Sequence, residues 1–188
     1  MQRIENKDTN FTVVGFADGV LKVMFPRSRL VRTYYDVSPS TYQQLINADS
    51  PLEFFWHTIR VDNENSTEWP NVEAVLEDLS DDWFVLEARS VLINEEWSGF
   101  TPLQYMASQG DVSAVKLLIN AGANVNLKEF AMDSTALQGA VASGRYRCAR
   151  LLLEAGASKT DMDGNGSSAE KIAFWKGDES IIELLKSY

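Results

Sequence analysis

One cysteine and one histidine are all that 188 residues contain of the two commonest zinc ligands. Cys148 alone cannot close an internal disulfide or build a cysteine-based zinc knuckle, and His57 alone excludes two-His and three-His metal sites. No apolar run approaches the roughly 20 residues that cross a bilayer. The first twenty residues lack a basic start followed by an apolar core, so no signal peptide is read there. Phosphate-binding glycine loops, nucleophile elbows and His-Glu-x-x-His are also missing. The expectation is a cytoplasmic chain that is not an enzyme, with no catalytic residues, no metal and no cofactor. What remains is ordinary globular material, 45% hydrophobic and 23% charged. That length can bury a core in one large domain or two small ones.

Basic residues are scarce in one place only. The net charge is −10, from 17 Lys and Arg against 27 Asp and Glu. Residues 1–62 hold seven of each sign, residues 98–188 hold nine basic and ten acidic, and residues 63–97 hold ten acids against Arg89 alone. Glu64, Glu68, Glu73, Glu77, Asp78, Asp81, Asp82, Glu95 and Glu96 form the candidate acidic patch. Such a block repels nucleic-acid phosphates and attracts a basic partner, with an on-rate that falls as salt rises. A plain solvated helical face has the same composition.

The strongest pattern is an internal repeat. Thr101-Pro102-Leu103-Gln104-Tyr105-Met106-Ala107-Ser108-Gln109-Gly110-Asp111 aligns with the segment from Thr135 to Arg145 at an offset of 34, and with Ser168 to Asp178 at a further 33. Leu117-Leu118, Leu151-Leu152 and Leu184-Leu185 keep the register, as do Ala121-Gly122-Ala123 and Ala155-Gly156-Ala157. Thr or Ser caps a short first helix, Pro102 suits its first turn, and glycine turns the chain into a second helix. The paired leucines leave an apolar face that only a neighbouring unit can cover. These residues resemble the ankyrin repeat family. A degenerate fourth copy is read at 63–97, with Glu68–Leu76 as its first helix and Val85-Leu86-Glu87-Ala88-Arg89 in its second, and the last helix completes the stack before Tyr188.

Residues 1–62 lack the repeat. Phe11–Phe16 and Val20–Phe25 read as antiparallel strands around the turn Ala17-Asp18-Gly19, with Leu30–Tyr35 as a third strand. Ser38-Pro39 starts one helix, and Ser50-Pro51-Leu52-Glu53 reads as a capping box opening another that carries Phe54, Phe55 and Ile59. With Tyr34-Tyr35-Asp36-Val37-Ser38-Pro39, Tyr42, Leu45, Ala48-Asp49-Ser50-Pro51 and Phe55…Ile59-Arg60, this region resembles the KTSC family, although Leu52 stands where that family usually has glycine. The resemblance implies a fold rather than an activity. The expected architecture is α+β: a three-stranded antiparallel sheet with two helices over 1–62, an acidic degenerate repeat over 63–97, and an all-α solenoid of three clear repeats over 98–188.

Several constellations have plain readings. Asp161-Met162-Asp163-Gly164-Asn165-Gly166 copies the opening of a calcium loop, but Ile172 stands where the bidentate Glu belongs. The same residues suit the tip of a repeat hairpin. His57 has no catalytic companion, and Cys148 reads as a small buried apolar residue. Arg27, Arg29, Arg32 and Arg60 with Tyr34 and Tyr35 could bind single-stranded nucleic acid, or be a soluble hairpin with core tyrosines, which is the preferred reading.

The ankyrin resemblance implies partner binding by hairpin tips and the concave face of the first helices. Here those positions are Trp97, Ser98, Phe100, Ser108 and Gln109, then Lys128, Glu129, Phe130, Met132, Ser134 and Ser143, then Asn165, Ser167, Trp175 and Lys176. The first tip carries one extra residue, which is expected to push Phe130 outward. Large apolar side chains at such positions are typical interface anchors. KTSC-like domains occur mainly in bacteria and their phages, where small acidic ankyrin proteins resemble immunity proteins that neutralise toxins. One basic protein partner is therefore expected, with the free chain monomeric, no membrane association and no nucleic acid. A nucleic-acid adaptor acting through residues 1–62, or a general scaffold, are the alternatives.

Overall fold

A computed structural model describes residues 12–24, 31–59, 64–81, 93–96 and 99–188. The chain divides into two compact units, Met1–Glu68 and Trp69–Tyr188.

In the first unit, β1 (Thr12–Ala17) and β2 (Val20–Met24) form an antiparallel hairpin. Its two-residue turn works because Asp18 and Gly19 both take positive φ, at 50° and 75°, as a turn matching the right-handed strand twist requires. β2 alternates, with Leu21 and Val23 inward. β3 (Val31–Tyr34) pairs with β2, Leu21 facing Tyr34. The three expected strands are joined by a fourth: β4 (Asn65–Thr67) pairs with β3 in the order β1-β2-β3-β4. Residues 64–68, grouped by composition with the acidic stretch, thus belong to the sheet unit. Glu64 is buried, and its carbonyl accepts from the Tyr35 N–H at 3.0 Å. Glu68 is exposed and pairs with Lys22 at 3.5 Å.

Two helical segments cover the sheet. Helix α1 (Pro39–Asn47) is capped by Ser38, whose hydroxyl accepts from the Thr41 N–H at 3.0 Å. Helix α2 (Pro51–Phe54) continues as a π-helical turn, Phe55–Ile59, which buries Phe55 and Ile59 completely and leaves Phe54 half-buried. Phe55 meets Tyr34 edge-on at 5.1 Å, and Phe16 stacks on Tyr42 at 4.3 Å. The capping box expected at Ser50 needs the Glu53 side chain, which lies outside the described residues.

The second unit is a solenoid. Its inner row is α4 (Pro102–Gln109), α6 (Ala136–Ala142) and α8 (Ala169–Lys176). The outer row is α5 (Val112–Asn120), α7 (Tyr146–Glu154) and α9 (Glu179–Ser187). Inner helices pack on inner and outer on outer, so one core runs from Val75 to Leu185. Gly110, Gly144 and Gly177 recur in the left-handed conformation between the helices of each pair, at φ of 80°, 69° and 68°, where a Cβ would be strained.

Helix α3 (Val72–Asp81) precedes these pairs, with the Asn71 side chain accepting from the Ala74 N–H. It begins later than the Glu68 start expected from the sequence, and it packs along α5 in the outer row. The reason is chemical. Val72, Val75, Leu76 and Leu79 form one apolar stripe, and the Thr-Pro-Leu start that marks inner helices is missing. Trp69 reinforces this contact by donating from Nε1 to Asp111 Oδ2 at 3.0 Å. Residues 82–92, where the second helix of the degenerate repeat was expected, lie outside the described residues. Repeat-like geometry resumes at Asn94, whose side chain accepts from the Asn124 N–H at 2.8 Å, as Asn126 does from the Ser158 N–H at 2.8 Å.

Candidate protein-binding surface

Long loops, the fingers, join each helix pair to the next. A glutamine clamps both described inter-repeat fingers. Thr101 and Gln104 form a reciprocal cap, with the Thr101 N–H donating to Gln104 Oε1 at 2.7 Å and the Gln104 N–H to Thr101 Oγ1 at 3.3 Å. The Gln104 amide nitrogen then spans the next finger, donating to the Leu127 and Ser134 carbonyls at 3.0 and 2.8 Å. One repeat later Gln138 does the same, bonding the Asp161 and Ser167 carbonyls at 2.9 and 2.7 Å. In the third repeat Lys171 stands there, and its ammonium reaches the Gly166 carbonyl at 3.0 Å.

The first finger is built around Glu129, which is 2% exposed. Its carboxylate accepts from the N–H groups of Ala131, Met132 and Ser134 and from the Ser134 hydroxyl. Burial alone raises its pKa, but the donors from Met132, Ser134 and Ala131 together outweigh burial and hold it below the ordinary carboxylate value. Around this buried anion the backbone turns tightly enough to leave Phe130 92% exposed, with Met132 exposed beside it. Glu129 was expected to meet a partner. It is instead a buried brace, because a loop with three inward N–H groups needs an acceptor at its centre.

The two fingers are tied to each other. The Gly164 N–H donates to the Met132 carbonyl at 2.8 Å, and the Lys128 ammonium to the Met162 carbonyl at 2.6 Å. Lys128 also pairs with Asp133 at 3.2 Å. A Cβ on Gly164 would sit 3.1 Å from the Met132 oxygen. Gly164→Ala should therefore push the fingers apart and cost about 1 kcal/mol, measured by denaturant unfolding. Asp163 Oδ1 accepts from the Asn165 and Ser167 N–H groups at 2.9 and 2.8 Å, which closes the second fingertip. Among the described residues no cluster of three or more His, Cys, Asp or Glu could hold a metal.

The remaining positions divide. Phe100, Ser143, Asn165, Trp175 and Lys176 are exposed. Trp175 carries the Lys171 ammonium over its ring at 4.5 Å. Ser108 and Gln109 are half-buried, and the Ser108 carbonyl accepts from Arg145 Nε at 3.2 Å. The Lys176 ammonium donates to the Ala142 carbonyl, the equivalent position one repeat on. Ser134 is committed to Glu129, and Ser167 is buried. Trp97 and Ser98 lie outside the described residues. Of the acidic positions, Glu73, Glu95 and Glu96 are exposed. The side chains of Glu77, Asp78, Asp81 and Asp82 are outside the description.

A family model described as ankyrin repeats, three copies, matches residues 82–163, and a KTSC domain model matches residues 9–62. The chain joins a KTSC domain to ankyrin repeats. Serine/threonine-protein kinase 12 of Arabidopsis thaliana is 32% identical over 92 residues, which are 49% of this chain and 20% of that protein. The chain thus spans a fifth of that relative. Ankyrin repeats are protein-interaction modules, typically without catalysis, and the finger geometry fits that role. No helix among the described residues is long and apolar enough to cross a membrane.

Within the KTSC domain, Tyr34 is fully buried in the core and Tyr35 is half-buried, so Tyr34 is not a stacking platform for bases. Arg27, Arg29 and Arg60 lie outside the described residues. His57 is exposed on the π-helical turn and Cys148 is buried. Sequence reasoning missed the clamp glutamines and Met162. The recurrence of Leu-Gln at 103–104 and 137–138 was the available signal for the clamp.

Proposed function

We propose that the chain is a non-catalytic inhibitor of the immunity type, acting in the cytoplasm on one basic, toxin-like protein. The ankyrin fingers and concave face grip the partner, and the acidic stretch steers its approach. The observation that carries this reading is Phe130, held 92% exposed on a finger braced from within by Glu129. A preformed apolar anchor costs little ordering on binding. Met132, Met162 and Phe100 add exposed apolar surface. Glu73, Glu95 and Glu96 supply exposed charge of one sign, which favours association with a basic surface at low salt.

Affinity capture of the full chain, with mass spectrometry, tests this beside the double variant Phe100→Ala/Phe130→Ala. The expected outcome is one basic protein retained by the wild type and weakened by at least about 2 kcal/mol in the variant, the scale of a hot spot. Capture of the same proteins by both forms, or of nucleic acid instead, would refute the assignment.

A further inference from the structure

The last helix pair differs from the two before it. Phe174 stands where α4 has Ala107 and α6 has Val141, and Ile182 stands where α5 has Val115 and α7 has Ala149. Those four are 0% exposed, each in a helix with another stacked on it, whereas Phe174 is 74% exposed and Ile182 half-buried. With Leu185 they line an open pocket of about 220 Å³, walled also by Glu170 and Lys186. Glu170 replaces Leu103 and Leu137 of the earlier repeats, and Lys186 replaces Ile119 and Leu153. The face is thus charged at two points and apolar between them. A face that meets only water carries few side chains as large, apolar and exposed as Phe174.

Charge says what covers it. An acid and a base beside one apolar patch make the patch complementary to itself: under a two-fold axis Glu170 of each copy meets Lys186 of the other. Lys159 already holds Glu170 at 3.3 Å, and a carboxylate has acceptor sites for a second lysine. The exposed acids Glu73, Glu95 and Glu96 precede the first clear repeat, at the opposite end of the solenoid, so joining through α8 and α9 keeps like charges apart. We propose that Phe174 and Ile182, seated over the buried Leu185, form a two-fold interface between two copies of this chain, in place of the free monomer expected from the sequence. Two helices of 8 and 9 residues bury less than the ~800 Å² per partner of a standard interface, so the dimer forms in the micromolar range.

Sedimentation velocity on the full chain, over about two decades of concentration around that range, tests the proposal. Wild type should pass reversibly from monomer to dimer. Phe174→Asp, at a site already exposed in the folded chain, should raise the dimer Kd at least about tenfold, with an unchanged circular dichroism spectrum. Glu170→Lys and Lys186→Glu should each weaken the dimer, and the double exchange should restore it to within about threefold. A wild type that stays monomeric overturns the proposal, as does a dimer untouched by Phe174→Asp or a double exchange no better than the single ones. Open-ended chains whose mass keeps growing with concentration overturn it too, in favour of head-to-tail stacking.

Discussion

Gln138→Leu is expected to lower the stability of the ankyrin unit by about 3 kcal/mol. The substitution roughly keeps the volume of a side chain that is 2% exposed. It removes an acceptor 2.7 Å from the Thr135 N–H and a donor shared by the Asp161 and Ser167 carbonyls. The Ser167 carbonyl keeps the Asp163 N–H at 3.0 Å, so the cost lies less in the bonds lost than in the buried Thr135 N–H and the half-buried Asp161 carbonyl, which lose the amide as partner. Urea unfolding followed by far-ultraviolet circular dichroism measures it. A loss under about 0.5 kcal/mol, the level of an ordinary surface change, would mean that water replaces the amide and that the finger needs no clamp.

Glu129→Gln should have the next largest effect, about 2 kcal/mol at neutral pH. The amide keeps one acceptor oxygen but turns an NH₂ group toward backbone N–H groups that now donate to the carboxylate. Amide exchange at Ala131, Met132 and Ser134 should accelerate together. The pH dependence has a definite sign. The folded-state pKa of Glu129 is depressed, so its contribution is present above the unfolded carboxylate pKa and is lost as pH falls through the folded value. Wild type should therefore lose stability on acidification more steeply than Glu129→Gln, and the two curves should converge at low pH. Parallel curves would show that the carboxylate is not the brace.

Much of this architecture is legible in the sequence because repetition multiplies weak signals. Thr101 alone is a modest cap, but Thr101, Thr135 and Ser168 in phase, followed by paired leucines, leave little choice of fold. The β1–β2 hairpin is equally plain from Asp18-Gly19 between apolar strands. Strand β4 is not. Asn65-Ser66-Thr67 has no apolar alternation, and its partner lies some thirty residues away, so pairing is decided by an open sheet edge rather than by local preference. Helix α3 was misplaced for a related reason, since an apolar stripe identifies a helix but not the row it joins. The site divides the same way. The exposure of Phe130 was legible from the extra residue in its finger, whereas Glu129 beside it looked like another exposed acid. Its burial comes from backbone donors up to five residues away, which the side-chain pattern does not encode.

Two cations share a habit that has a consequence for how the chain is made. Arg145 donates to the Ser108 carbonyl at the end of α4, and Lys176 donates to the Ala142 carbonyl at the end of α6. Positive charge there complements the helix dipole, and in both cases it comes from the following repeat. The clamp glutamines likewise close on a finger that lies downstream. A chain leaving the ribosome N-terminus first thus carries an unfinished helix end and an open clamp until the next repeat has emerged. Each unit is completed by its successor, so the partly made solenoid stays loose and sets in the order of its synthesis.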